Sequence, residues 1–314
     1  MVDSFHVNDL SKYINVFYNK GTNNSWQTWT KPRNISFVDI LAIGAGGGGG
    51  AGYQSNGGAG GASGGGSGSI TKGFFPANLL PDTLYIQVGQ GGTGGIIRSG
   101  NGTVGTETSI IVDTPISALT TQHYLLLANG GSFGLAGTSA AAVNGGVGGT
   151  VWTPSSIASS LGIIDAFAGV TGGPGSATSG VITNVFLTSI VSGGAGGGSV
   201  SSTISFINGG SVIVSGFTIT INGGIAGDGS DRRLIDANPG FTSLPSTNTS
   251  NRLPMFFTGG AGGGACNTNN FGGNGGNGSF GSGGGGGGGT YSTSSTQIGK
   301  GGNGGDGLVI ITCY

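Results

Sequence analysis

The sequence predicts a mainly β protein with a polyglycine II helix bundle and little α-helix. Its glycine tracts show a period of three, as in Gly-Gly-Asn-Gly-Gly-Asn-Gly (272–278) and Gly-Gly-Asn-Gly-Gly-Asp-Gly (301–307). Three residues per turn is the repeat of an extended left-handed helix that has no internal hydrogen bonds. A helix with two bare edges can exchange N–H and C=O bonds sideways with its neighbours. The alternative interpretation of such a tract is a flexible, solvated linker.

A second observation favours the ordered bundle: the glycine tracts are fused to apolar, β-branched runs. Phe37–Ile43 leads into a glycine run, and the last tract ends in Leu-Val-Ile-Ile. Ordering glycine costs roughly 0.5–1 kcal/mol more than ordering alanine, so a fold built on 76 glycines must recover that cost through close packing. We therefore expect ordered, laterally hydrogen-bonded tracts, mainly at 44–68, 193–198, 259–264, 272–289 and 301–307.

Composition limits the classes of partner. The chain has 314 residues, is 7% charged and carries a net charge of −1, which argues against binding nucleic acid or an anionic membrane. No apolar run approaches the ~18 residues of a membrane span, and the first 20 residues lack the apolar centre of a signal peptide. We expect that the protein does not insert into a membrane. We also expect that it is synthesised in the cytoplasm of a host cell. Whether Cys266 and Cys313 pair stays open, with two unpaired cysteines favoured.

Residues 1–34 differ from the glycine-rich domain that we expect over 35–314. They are richer in charge and aromatic residues, and Leu10, Tyr13, Ile14 and Phe17 have helical spacing. The segment is too short for a core of its own, so it docks on something: the rest of this chain or a partner. The candidate anchor residues are Phe17, Trp26 and Trp29.

The remaining secondary structure is predicted to alternate between strands and glycine tracts. The apolar runs that indicate strands are at 36–43, 83–89, 109–112, 123–128, 181–191 and 217–221. A short amphipathic helix is predicted over 155–168, and residues 228–258 have the composition of a loop insertion. Helix content is expected to stay below about 10%, against the usual third.

The sequence contains two motifs that resemble a nucleotide-binding site and a metal site, but the surrounding residues support neither. Gly44–Gly49 matches the G-x-G-x-x-G nucleotide fingerprint, but no helix former and no carboxylate follows. Asp228, Asp231 and Asp236 are close in sequence, yet Arg232 and Arg233 lie among them, so a solvated loop is favoured over a Ca²⁺ site. The sequence offers no positioned acid, base or nucleophile. We expect a non-enzymatic protein with no cofactor and no metal.

The ordered set of motifs resembles the glycine-rich domains of tailed-phage virion proteins. It comprises the lead-in Trp26-Gln27-Thr28-Trp29, a strand entering a glycine run (38–50), Gly-Gly-Ala-Gly-Gly-Gly blocks and the closing Gly-Gly-Asp-Gly-Leu-Val-Ile-Ile. It is also similar to tip adhesins of T-even-type phages, in which polyglycine II bundles carry host-binding loops. This chain departs from them in its long apolar inserts and aromatic N-terminal segment.

The resemblance implies a virion structural protein, of which a tail-fibre or adhesin-like component is the first hypothesis. A capsid or tail decoration protein with a purely structural role is the alternative, and an ice-binding secreted protein is a distant third. Expected partners are other virion proteins, a host cell-surface receptor in the adhesin case, and further copies of the chain. Large side chains outside the tracts are the candidate partner contacts: Trp152, Arg232, Arg233, Phe241 and Tyr291.

Overall fold

Strands at one end and glycine tracts beyond them make up the fold of the computed structural model. It describes residues 13–21, 25–113, 115, 122–139, 142–176, 185–187, 189–200, 206–214, 219–227, 232–240, 242–243, 256–267, 270–294 and 296–314. The structure is 27% strand and 5% helix. The expected mainly β class and the low helix content are therefore both confirmed.

The first sheet has five antiparallel strands and joins both ends of the chain. Their spatial order is β1 (Ile14–Tyr18), β14 (Leu308–Cys313), β3 (Phe37–Ile43), β4 (Ile70–Pro76) and β8 (Ile163–Phe167). Alternating burial along β3 shows one face turned inward. This period of two is what an antiparallel sheet with one buried face requires.

The second sheet packs its inner face against the first. It runs β2 (Trp26–Thr30), β5 (Thr83–Gln87), β6 (Thr108–Ile111) and β7 (Tyr124–Ala128), all antiparallel. The two inner faces share one apolar cluster, which includes Val38, Phe75, Leu84, Leu126 and Val309. This sandwich is the largest apolar core among the described residues.

The helix predicted around Leu10–Phe17 is wrong where the structure describes it. Residues 14–18 form β1, which pairs with β14 at the edge of the first sheet. Exposure alternates along the strand, as its β-branched residues favour. The helical spacing of a few apolar residues did not outweigh an available strand edge. Residues 8–12 lie outside the described part of the chain.

The helix predicted over 155–168 is half correct. Helix α1 spans Ser156–Leu161, and the Ser155 hydroxyl caps it by accepting from the N–H of Ala158. The chain then turns at Gly162 and continues as β8, which pairs with β4. Tertiary pairing at a sheet edge therefore overrides the amphipathic pattern of residues 163–167.

Smaller elements complete the described structure. Strands β9 (Val185–Leu187), β10 (Val212–Val214) and β11 (Ile219–Ile221) form one sheet, and β12 (Thr242–Ser243) pairs with β13 (Phe256–Phe257). A 3-10 turn covers Ala77–Leu79, and helix α2 covers Arg232–Ile235. Each apolar run predicted to be a strand contains a strand in its described part; β9 lies within the run 181–191 and β11 within the run 217–221.

The glycine tracts run away from the sheets and return to them. Strands β3 and β4 are neighbours, and the chain between them goes out along 44–53 and back along 59–69. The same path joins β5 to β6 through the tracts 88–95 and 100–107. The sheets therefore mark one end of the molecule, the strand end. The turns at 54–58, 96–99 and 291–294 mark the opposite end, which we call the turn end.

Backbone hydrogen bonds connect the tracts sideways with a period of three. The N–H groups of Gly46, Gly49 and Gly52 donate to one neighbour, and those of the two residues in between donate to two others. In this way the tract 44–53 donates to 299–305, 60–66 and 100–106, and accepts from 92–95, 131–137 and 284–287. A central tract thus has six neighbours, as the expected lateral bonding requires.

The tracts with the most neighbours are also the most buried. Every residue of 44–52, 192–200, 258–266 and 281–290 is buried. The alanines in these tracts, such as Ala51 and Ala261, are fully enclosed, and serines satisfy further backbone groups. Ser67, for example, accepts from the N–H of Val170 at 2.7 Å. Glycine is therefore the core residue of this half of the protein.

Side chains close the hydrogen-bonding rim of the bundle. The amide oxygen of Asn303 accepts from the N–H of Gly94 at 2.8 Å, and a carboxylate oxygen of Asp306 accepts from Gly91 at the same distance. Asn277 in turn accepts from the N–H of Asn303 at 2.8 Å. A peripheral tract has no outer neighbour to accept its outward N–H groups. The side-chain oxygen of the third residue in each Gly-Gly-X triplet accepts these hydrogen bonds instead.

We expect Asn303→Ala to lower the free energy of unfolding by about 1 kcal/mol, because the N–H of Gly94 loses its acceptor. Asn303→Asp is the matched control. Asp306, three residues further on, shows that a carboxylate oxygen can accept the same kind of hydrogen bond from a backbone N–H. Urea unfolding near neutral pH measures both variants. Equal losses for the two variants would contradict the role of the side-chain oxygen.

Candidate functional site at the turn end

The turn end gathers large side chains that the glycine tracts lack. Tyr53 ends the outward tract from β3, and Arg98 lies in the turn between the tracts 88–95 and 100–107. The guanidinium carbon of Arg98 lies 4.6 Å from the centre of the Tyr53 ring, and its Nη2 donates to the tyrosine oxygen at 2.6 Å. This pairing holds a cation in a fixed place at the surface.

Backbone geometry fixes the turn that carries Arg98. The N–H of Gly100 donates to the carbonyl of Ile97 at 2.8 Å, which closes the turn. Ser99 takes a positive φ of 58°, a conformation uncommon outside glycine. Ile96 and Ile97 are each 67% exposed. Two apolar side chains are thus presented to solvent beside a fixed cation.

A second tyrosine stands close to the first because two central tracts run side by side. The N–H of Thr290 donates to the carbonyl of Tyr53 at 2.9 Å, so Tyr291 emerges at the same level. Both rings pack on a small apolar cluster that includes Ala59, Val200 and Ala265. The buried Gln54 ties the neighbouring turn down by donating to the carbonyl of Ser292.

The structure brings some of the predicted contact residues to this end. Tyr291 is half-buried there. Arg232 and Arg233 begin helix α2. The carbonyls of Leu234 and Ile235 in this helix accept hydrogen bonds from the tracts 222–227 and 258–266, near the turn end of each tract. The side chains of these two arginines lie outside the described atoms, as does the whole of Phe241.

The other predicted residues lie at the strand end. Trp152 is 7% exposed and belongs to the sandwich core, which leaves little of its ring for a partner. Trp29 is 3% exposed in the same core, where its Nε1 has no hydrogen-bond partner among the described residues. Phe17 packs against this core from β1 and Trp26 is half-buried on β2. Three of these four aromatic rings therefore stabilise the sandwich.

Sequence reasoning missed Tyr53, Arg98 and the two exposed isoleucines. The available signal was the run Ile96-Ile97-Arg98 between two glycine tracts, since a turn that joins two bundle segments has no core to receive such side chains. The missing information was which tracts end side by side. Lateral pairing sets that arrangement.

The His, Cys, Asp and Glu side chains of the described residues are scattered. Within them, no group of three or more His, Cys, Asp or Glu side chains is placed to hold a metal ion. Asp236 accepts from the N–H of Asn274 at 2.8 Å, while Asp228 and Asp231 lie outside the described residues. No helix in the described part of the chain is long and apolar enough to cross a bilayer.

Two titratable groups at the strand end have shifted pKa values. Burial raises the pKa of Tyr124 above its ordinary value of 10.0, and the charge of Glu107 and its hydrogen bond to the phenol raise it further. Burial also raises the pKa of the Cys313 thiol. Cys266 and Cys313 are both buried and are not joined by a disulfide.

The raised pKa of Tyr124 predicts a loss of stability at high pH. The folded protein holds the phenol proton more tightly than the unfolded chain does. This contribution is therefore fully present below about pH 10 and is lost as the pH rises through the folded-state pKa. We expect Tyr124→Phe to reduce the alkaline loss of stability, measured by urea unfolding across that range. An unchanged pH profile would contradict the assignment.

The chain matches one known protein family over most of its length. A model of the glycine-rich domain family matches residues 21–314. The chain therefore belongs to this family, and the match includes both sheets apart from β1 as well as the whole described bundle. No curated protein matches the chain.

Proposed function

We propose that this chain is a non-enzymatic structural protein of a tailed-phage particle, a fibre or adhesin-like component that displays loops for binding to a host surface. One observation carries the proposal: the molecule has two different ends. The strand end holds both chain termini of the described structure and the apolar core. The turn end presents exposed apolar residues and a fixed cation on tracts that have few other large side chains.

We also propose that the tracts form a polyglycine II bundle. The support is the period of three in the lateral hydrogen bonds and the six neighbours of the tract 44–53. A β-strand forms ladder bonds to two neighbours, with side chains alternating at a period of two. Six neighbours require a backbone that directs its polar groups in three directions, as a threefold helix does.

The helix type can be measured directly. In a crystal structure of the protein, we expect the tracts 44–52 and 283–289 to have φ of about −75° and ψ of about +145°. The reason is that only a threefold repeat lets successive N–H groups reach three different tracts. A φ of about −140° with a ψ of about +135°, typical of antiparallel strands, would contradict this proposal without affecting the sandwich.

Binding at the turn end follows from rigidity. Hot spots on protein surfaces favour large, rigid groups, and arginine is enriched among them. The Tyr53 contact orders Arg98 before any partner arrives, which lowers the entropy cost of binding. A particle displays many copies, so weak single contacts suffice because avidity multiplies affinity by ~10²–10⁴.

A cell-binding experiment tests the proposal. Labelled full-length protein is incubated with cells of the host that propagates the particle, and inhibition of particle adsorption is measured in parallel. We expect binding that the triple variant Ile96→Ser, Ile97→Ser, Arg98→Ser weakens at least ~10-fold. The control variant Val104→Ser, Val147→Ser alters exposed residues on the flank of the bundle and should bind normally.

A second experiment, on the assembled particle, separates the alternative function. Antibody labelling in electron microscopy would place an adhesin at the far end of the tail or a fibre. A regular lattice on the shell, together with no cell binding by the wild-type protein, would indicate a decoration protein and contradict the adhesin proposal.

A further inference from the structure

The outer face of the five-stranded sheet is apolar where solvent would favour polar residues. Along β1, the outward side chains of Ile14, Val16 and Tyr18 are 46%, 39% and 45% exposed. At the opposite edge, on β8, Ile163 and Phe167 are 69% and 55% exposed. Between these edges, Leu41 and Ile310 are neighbours in register. The face is therefore largely apolar, with apolar side chains on both edges and between them.

The second sheet provides an internal comparison. Its outward residues on β2 and β5 include Thr28, Thr30, Thr83, Tyr85 and Gln87, while the residues between them pack inward. This is the usual pattern of an antiparallel sheet with one face in the core. Both sheets belong to one chain and one sandwich, so general hydrophobicity does not explain the difference.

The apolar face is concave. It forms an open groove with a volume of about 1250 Å³. Val16 and Ile14 line one side, Phe167 and Val170 line the other, and Leu41 and Ile310 lie between them. The β8 edge presents Ile163 and Phe167 as large exposed apolar side chains, which a groove of this kind can receive.

The charges on the face select among possible occupants. Lys72 forms an ion pair with Asp39 at 3.3 Å, and Asp165 is its neighbour in register on β8. One cation between two carboxylates disfavours an anionic lipid surface or nucleic acid. A twofold axis through this row would place each Lys72 beside a carboxylate of the other copy, which makes the pattern complementary to itself.

We infer that this face binds a second copy of the chain in a twofold arrangement, with the β8 edge of each copy in the groove of the other. Five strands of five to seven residues cover roughly 24 by 20 Å, or about 500 Å² per copy. Ile43, Ile70 and Leu308, on the side of the face nearest the tracts, are already buried with Val191 and Phe257 of the same chain, so two faces contribute at most about 1,000 Å², the lower limit for a specific interface. The dimer is therefore of moderate affinity at most and depends on concentration. This inference does not rest on the proposed function.

Sedimentation velocity of the full chain between about 1 and 100 µM tests the inference, since this range brackets a moderate dimer. We expect dimers that dissociate on dilution. Phe167→Lys and Val16→Lys should each raise the dissociation constant at least ~100-fold, because each buries an unpaired ammonium group. Thr28→Lys, on the outer face of the second sheet, is the matched control and should leave the constant unchanged.

The result has clear alternatives. A wild-type protein that stays monomeric at the top of this range would overturn the inference, and so would a dimer that both lysine variants leave intact. A monomer that dimerises only after removal of residues 1–12 would show that the chain covers its own groove, which also overturns it. Urea unfolding of each variant at low concentration shows whether the fold is retained.

Discussion

Replacing Gly49 with alanine is expected to destabilise the bundle by at least about 3 kcal/mol. A Cβ at this position would lie 2.1 Å from the carbonyl oxygen of Gly285 and 2.5 Å from its carbonyl carbon. The obstacle is backbone on both sides, so no side chain can rotate away. Relief requires that the two tracts separate, which weakens the lateral bonds that Gly284 donates to Gly47 and Gly287 donates to Gly50.

The control for this variant lies in a turn of the same chain. A Cβ at Gly57 would meet only the Ser55 hydroxyl, at 3.7 Å, so Gly57→Ala should change stability little. Gly286→Ala repeats the test in another central tract, where the Cβ would lie 2.1 Å from the carbonyl oxygen of Ala62. Urea unfolding followed by circular dichroism gives the free energies. Equal effects at positions 49 and 57 would show that the tracts are loosely packed.

Replacing Phe75 with alanine is expected to cost about 3–5 kcal/mol, the range for removing a buried aromatic ring. Phe75 is fully buried in the sandwich, and its ring fills the space over Gly73 and Gly162. Those two positions have no side chain that could move into the cavity. The sandwich therefore cannot collapse around the missing ring.

The neighbouring residue on β4 is the matched control. Phe74 is 38% exposed on the opposite face, where it stacks on Phe37 with ring centres 5.1 Å apart. Phe74→Ala should lower the free energy of unfolding by about 1 kcal/mol or less, because most of the loss is an aromatic contact at the surface. The free energy is measured at low protein concentration, where monomers prevail. Similar losses at 74 and 75 would contradict the assigned faces of β4.

Several features of the fold could be predicted from the sequence because they are local. The run Phe37–Ile43 alternates and is β-branched, and it forms β3. The Gly-Gly-Asn triplets indicated bare edges that allow close lateral approach, and 272–278 and 301–307 show that contact. In contrast, the turn-end site was not predicted. Tyr53 and Arg98 are 45 residues apart, and no local pattern relates them.

By itself, the sequence determined the class of protein: strands fused to glycine tracts, few charges and almost no helix. These properties follow from periodicity and from the missing side chains of glycine, which act over a few residues. The tertiary structure alone decided which tracts are central, since Gly49 and Gly57 belong to the same predicted tract, 44–68, but differ in their spatial neighbours. It also decided that residues 14–18 and 163–167 are edge strands. Both depend on backbone partners far away in the chain, because an unpaired backbone group is satisfied by whichever tract or strand lies beside it.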